Sequence, residues 1–145
     1  MATVLRPEDM ESRITDTAVT AEGHVMSIVT ATGHVDLCAV NGIAYAVAYS
    51  STEEYINSAW TAQASVPVAL IRAPGTIVRL QLLATNQAIT RGDPIKTSTL
   101  GHVDLGTWSV PPTIAELRAF CGKALESKAL NAGGTILVLW KPTWF

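Results

Sequence analysis

Charge is what this sequence has least of. Charged residues make up 15% of its 145 positions, against about 25% in an average soluble domain. Its ten Lys and Arg are scattered singly from Arg6 to Lys141, and the formal net charge is −2. A nucleic-acid partner is therefore not expected, because displacing counterions from a phosphate backbone takes clustered cations. No apolar run approaches the roughly 18 residues of a membrane span. The first residues, Met-Ala-Thr-Val-Leu-Arg-Pro-Glu-Asp, have no basic region followed by an apolar core, so no signal peptide is read there and a cytoplasmic site of synthesis is expected. Cysteine is nearly absent too. Cys38 and Cys121 stand far apart and outside any Cys-x-x-Cys spacing, which predicts two reduced, mostly buried thiols on strands.

Motifs that carry chemistry are also missing. There is no Gly-x-Ser-x-Gly elbow, phosphate loop, His-Glu-x-x-His or paired-cysteine zinc signature. The three histidines, His24, His34 and His102, all sit in Gly-His-Val. Three imidazoles could ligate a metal if they converged, but each follows a turn glycine and opens a strand, where any amphipathic side chain does well. Asp36 and Asp104 occupy equivalent repeat positions and read as outward-facing strand residues, since a catalytic pair needs close approach and unlike environments. The expectation is a chain that is not an enzyme, with no catalytic, cofactor-binding or metal residues.

What the sequence does have is apolar surface and β texture. Hydrophobic residues make up 48%. With so little charge to cover the outside of one small domain, much of that surplus is expected to be buried against other chains. The organising stretch is residues 84–105. Arg91-Gly92-Asp93-Pro94 is a dense turn signal, residues 95–99 read as a strand, Leu100-Gly101 as a tight turn, and residues 102–105 as the returning strand. The same hairpin occurs earlier: Gly33-His34-Val35-Asp36-Leu37 is repeated as Gly101-His102-Val103-Asp104-Leu105. Two weaker echoes follow in order, residues 46–51 with 122–127 and residues 75–80 with 134–139. Together they suggest one β unit used twice inside a single barrel or sandwich.

Around that block, residues 1–20 read as an N-terminal arm with Val4 and Leu5 as its greasy anchors, and residues 21–145 as the β-barrel domain. Residues 43–49 alternate large side chains with alanine, which gives one smooth alanine face that another layer can approach closely. Residues 51–65 are polar and irregular, a surface excursion with capping-box spacing at Ser51 and Glu54 that allows a short helix. The strand over 66–72 tolerates Pro67, which places that residue near the strand's start or the strand at an edge. Residues 76–83 form the clearest strand, with Val78, Leu80 and Leu82 facing the core. Thr113 and Glu116 have capping-box spacing for a helical turn to about Ala119. The fold class predicted is all-β, a single barrel or sandwich of eight or nine short antiparallel strands with short helical turns.

Residues 84–140 carry a resemblance. Ala-Ile-x-x-Gly-Asp-Pro-Ile, then x-Gly-x-Val, then Cys-Gly-Lys-Ala-Leu-Glu-Ser, then Gly-Gly-Thr-Ile-Leu-Val-Leu-Trp together resemble the small capsid decoration ("cement") proteins of tailed double-stranded DNA viruses. Lys123 departs from that pattern, in which an apolar residue is more usual, and residues 51–65 match nothing in it. The resemblance implies a β-rich homotrimer on the outer surface of the virion. Its partner would be the major capsid protein, with no nucleic acid, membrane or cofactor involved. The arm residues Val4, Leu5, Arg6 and Pro7 would touch the capsid or a neighbouring subunit. Aligning Gly75 with Gly134 points Leu137 and Leu139 inward and Trp140 outward, so Trp140, with Trp144 and Phe145, is expected at a subunit interface or against another segment. The alternative from another class is a small β-barrel that binds a glycan or other ligand, with Trp60, Trp108, Trp140 and Trp144 as stacking platforms.

Overall fold

Turn chemistry sets the strand ends. Leu100 and Gly101 both take positive φ, 51° and 74°, and reverse the chain between two strands of the organising block. The computed structural model describes residues 10–83 and 87–142. Its strands are β1 (Met10–Thr15), β2 (Val25–Ile28), β3 (Val35–Leu37), β4 (Ala46–Ala48), β5 (Glu53–Ile56), β6 (Ala59–Ala62), β7 (Val66–Ile71), β8 (Ile77–Gln81), β9 (Pro94–Thr97) and β10 (Val103–Leu105). After one helix, α1 (Ile114–Arg118), come β11 (Phe120–Ala124) and β12 (Thr135–Trp140). The all-β class is as predicted.

The duplication is a property of the topology. The first sheet is a closed barrel in the order β1-β3-β2-β4-β7; the second runs β10-β9-β11-β12-β8. Matching β1, β2, β3, β4 and β7 to β8, β9, β10, β11 and β12 reproduces every neighbour. The barrel closes through a parallel pair, Thr15 with Val35. A single parallel bridge, Leu82 with Val103, stands at the equivalent place in the second sheet. Even a side-chain bond within the strands recurs: the Leu37 N–H donates to Asp36 Oδ1 at 2.8 Å, and the Leu105 N–H to Asp104 Oδ1 at 2.7 Å. The Gly-His-Val-Asp-Leu repeat thus falls on β3 and β10, and the second echo on β4 and β11.

The third echo does not follow the topology, and it misdirects one expectation. Residues 75–80 and 134–139 lie on β8 and β12, which are hydrogen-bonded neighbours, whereas the topological twin of β12 is β7. Ala48 pairs with Leu70 as Ala124 pairs with Val138. Ile136, Val138 and Trp140 consequently face inward, and Leu137 and Leu139 face out. Trp140 is 0% exposed. The outward orientation expected of it is corrected: its own chain's core covers it, and it has no surface to offer another subunit. Trp144 and Phe145 lie outside the described residues.

Two apolar clusters hold the fold. Val19, Met26, Val35, Tyr45, Ala46, Ala48, Val68 and Leu70 fill the first barrel. The alanine face of β4, Ala46 and Ala48, lies on the inside of this five-stranded barrel. A second cluster fills the second sheet through Val78, Leu80, Leu82, Ile95, Val103, Ile136 and Val138, and also takes in Val25, Cys38, Ala44, Val47 and Ile71 of the first barrel. The two units therefore share a core. Gly101 joins them. Its N–H donates to the Cys38 carbonyl at 2.8 Å, and a Cβ there would meet the Val25 carbonyl oxygen at 2.9 Å.

Two further expectations are corrected. Residues 10–15 are not arm: β1 pairs with β7 over six residues, from Met10 with Ile71 to Thr15 with Val66. It is anchored by polar groups, since the Tyr45 hydroxyl donates to the Glu11 carboxylate at 2.9 Å and the Arg72 guanidinium lies 4.2 Å from the Tyr45 ring centre. The barrel thus begins at Met10, well before residue 21, while Val4, Leu5, Arg6 and Pro7 lie outside the described residues. Residues 53–62 are a hairpin and not a helix. Asn57 and Ser58 take φ of 52° and 64°, the pair of positive values that a two-residue type I′ turn requires.

Candidate interaction surface

His34 Nδ1 sits 2.6 Å from Asp16 Oδ1. His24 and His102 meet edge to face, 5.0 Å between ring centres, at the junction of the two units. The three imidazoles do not converge, and among the described residues no group of three or more His, Cys, Asp or Glu could hold a metal ion. Burial, then the neighbouring His102, pushes the His24 pKa below its ordinary value. The thiols of Cys38 and Cys121 are free and buried, as the sequence predicts. Burial drives the Cys38 pKa up to about 12 and also pushes that of Cys121 well above its ordinary value, so neither is a nucleophile near neutral pH.

What remains is surface, and its most prominent feature is the β5–β6 hairpin. Every residue of 53–61 is exposed, so both faces of this two-stranded ribbon stand in solvent, as expected of a surface excursion. Tyr55 and Trp60 face each other across the strands, their ring centres 5.5 Å apart, and are 63% and 69% exposed. In a ladder with alternating sides, Glu53 shares their face and Glu54 lies on the other. Large aromatics held out in water by a ribbon with no core of its own mark a contact surface.

A second surface is a groove of about 600 Å³ on the outer side of the second unit, lined by Pro74, Phe120, Lys123, Leu139, Lys141 and Pro142. Its floor is apolar and its two charged side chains are both lysines. The chain approaches itself closely here: a Cβ on Gly122, at φ 152°, would run into the Leu139 carbonyl. A third exposed patch surrounds α1. Thr113 caps the helix as predicted, accepting the Glu116 N–H at 3.2 Å. The Ser109 and Thr113 N–H groups in turn hold the Glu116 carboxyl down to about 2. Ile114, Leu117 and Val110 project outward from this segment.

Of the sequence-predicted site residues only Trp140 is among the described ones; Val4, Leu5, Arg6, Pro7, Trp144 and Phe145 lie outside them. The described tryptophans disperse: Trp140 is in the core, Trp108 packs 6.5 Å from Phe120, and only Trp60 among them is strongly exposed. The hairpin's role was not legible beyond its being polar and external. The groove comes from residues spread between 74 and 142, with no local motif to announce it.

The fold defines a class before it suggests a role: two like five-stranded β units in one chain. No family model and no curated protein matches the sequence. Among solved structures, the chain is similar to the N base of head fiber gp8.5 in bacteriophage phi29 (TM-score 0.54, 13% identity). The likeness covers 91% of this chain and 92% of that one. At that identity it is a likeness of fold, and it spans both units.

Proposed function

We propose that this chain is a structural protein of a bacteriophage head. In this reading it decorates the outside of the assembled shell as a homotrimer and stabilises it through contacts with the major capsid protein. The observation that carries the proposal is the end-to-end fold likeness to a phage head fiber base. The order of Gly, Ala and Val motifs in residues 84–140, which resembles capsid decoration proteins, points the same way independently of it. The low charge, the exposed aromatics of β5–β6 and the apolar side chains around α1 suit a protein whose work is burying surface. At about 25 cal/mol per Å² of apolar area, modest contacts repeated over a shell add up after ordering costs are subtracted. No catalytic role is part of this reading.

A site composed of several shell subunits binds assembled heads and ignores free capsid monomers. The test is addition of the protein to undecorated heads, followed by sedimentation and a heat challenge, with native mass measured in parallel. Co-sedimentation with heads, protection of them and a trimeric mass are expected. Failure to bind heads would sink the reading and bring a glycan-binding role forward, for which Trp60 would be the stacking platform.

A further inference from the structure

We propose that the β5–β6 hairpin of one copy docks into the Lys123–Lys141 groove of the next, head to tail, and that this contact builds the oligomer. The inference rests on the trimer of the preceding reading and supplies its interface. Three observations carry it.

The first is the duplication itself. In the first unit Val47 and Ile71 form a register pair on the outer side of β4 and β7, and both lie in the shared core because the second unit covers them. Their counterparts in the second unit are Lys123 and Leu139, paired in the same register on β11 and β12. Lys123 is exposed and Leu139 half-buried. The face that the second unit covers on the first is thus left open on the second. It is the unfilled end of a two-step stack.

The second is complementarity. The groove pairs an apolar floor with two ammonium groups. The hairpin pairs two exposed aromatics with Glu53 and Glu54, and residues 51–65 contain no Lys or Arg. Among the described residues none of these four charges forms an ion pair. A lysine beside an apolar surface tolerates burial only when a carboxylate arrives with whatever covers it; the hairpin brings Glu53 on the face of Tyr55 and Trp60 and Glu54 on the opposite face.

The third is distance along the chain. The hairpin leaves the barrel where β7 begins, at Ser65, and Pro74 of the groove follows where β7 ends. Six residues of strand separate them by roughly 20 Å. One chain cannot close this contact on itself, so the pairing is heterologous, and a heterologous contact whose rotation closes makes a ring.

Sedimentation velocity over a range of concentrations tests the interface. Wild type is expected to sediment as a closed ring. Y55S/W60S, E53K/E54K and K123E/K141E each change only exposed side chains and should keep the wild-type circular dichroism spectrum, yet raise the dissociation constant at least about 30-fold. The quadruple charge reversal E53K/E54K/K123E/K141E should restore assembly to within about a few-fold of wild type, because every interface then carries the same pairs reversed. Carbodiimide treatment of mixed isotopically light and heavy copies should join Glu53 or Glu54 of one to Lys123 or Lys141 of another. A monomeric wild type, doubles that assemble as wild type does, or a quadruple variant no tighter than the doubles overturns the proposal. Adding the same proteins to undecorated heads separates the two readings: rings that form but bind no heads defeat decoration and leave the interface standing. A trimer indifferent to all four variants that still coats heads does the reverse.

Discussion

At the scale of single residues, two glycines with similar backbones are asked to do different things. Gly75 and Gly101 take φ of 88° and 74°. A Cβ on Gly75 would meet nothing within 4 Å, whereas one on Gly101 would press on the Val25 carbonyl, Leu37 and His24. Gly75→Ala should therefore cost only the left-handed conformation, about 1 kcal/mol. Gly101→Ala adds overpacking at the junction, about 1–3 kcal/mol more; urea midpoints of the two variants measure the gap, and equal midpoints would disprove the junction's tightness. His24 gives a pH dependence. Its folded pKa lies below the ordinary 6.5, so as pH falls through 6.5 the unfolded chain takes up a proton that the native chain refuses. The unfolded state then binds more protons, and stability declines as pH drops from 6.5 toward the folded value. Glu116 and Glu126, whose pKa values are lowered, lose their contribution only below about 4.5. Between pH 5 and 7.5 the slope should belong largely to His24 and flatten in His24→Gln.

At the scale of elements, β1 is decisive. Deleting residues 2–14 removes five of the six register pairs that β1 makes with β7 and should abolish folding. Deleting residues 2–9 leaves all six pairs in place and should retain a cooperative thermal transition that the longer deletion lacks. The contrast also shows which elements could be read from sequence. β8 and the β9–β10 hairpin were legible because alternation and turn residues agree in them, and α1 because Thr113 and Glu116 cap it reciprocally. β1 was not. Its Met-Glu-Ser-Arg-Ile-Thr buries only Thr15 fully, and a strand held by backbone pairing and a Glu11–Tyr45–Arg72 cluster has no apolar period to show. In residues 51–65 two local signals compete, a capping box at Ser51 and a type I′ turn at Asn57-Ser58. Cross-strand pairing decides for the turn. The parity of β12 failed because the most similar local sequence, on β8, is its neighbour and not its twin. Of the candidate surface, the exposed hairpin could be read as an external segment. The groove could not, since only the tertiary fold assembles it.

At the scale of the molecule, duplication has not produced two domains. Because Val25, Cys38, Ala44, Val47 and Ile71 of the first unit complete the core of the second, neither unit can shed its partner without exposing apolar surface. Calorimetry should give one transition with equal calorimetric and van't Hoff enthalpies, and residues 10–71 expressed alone should not fold. Two resolved transitions would count against a shared core. The two buried thiols make this measurable in another way. Cys38 belongs to the first unit and Cys121 to the second, and each stays a shielded, protonated thiol until its surroundings open. An alkylating reagent therefore runs two clocks in one molecule, one per half. If the halves open only together, both clocks run at one rate under native conditions, and that rate is the opening of the whole chain.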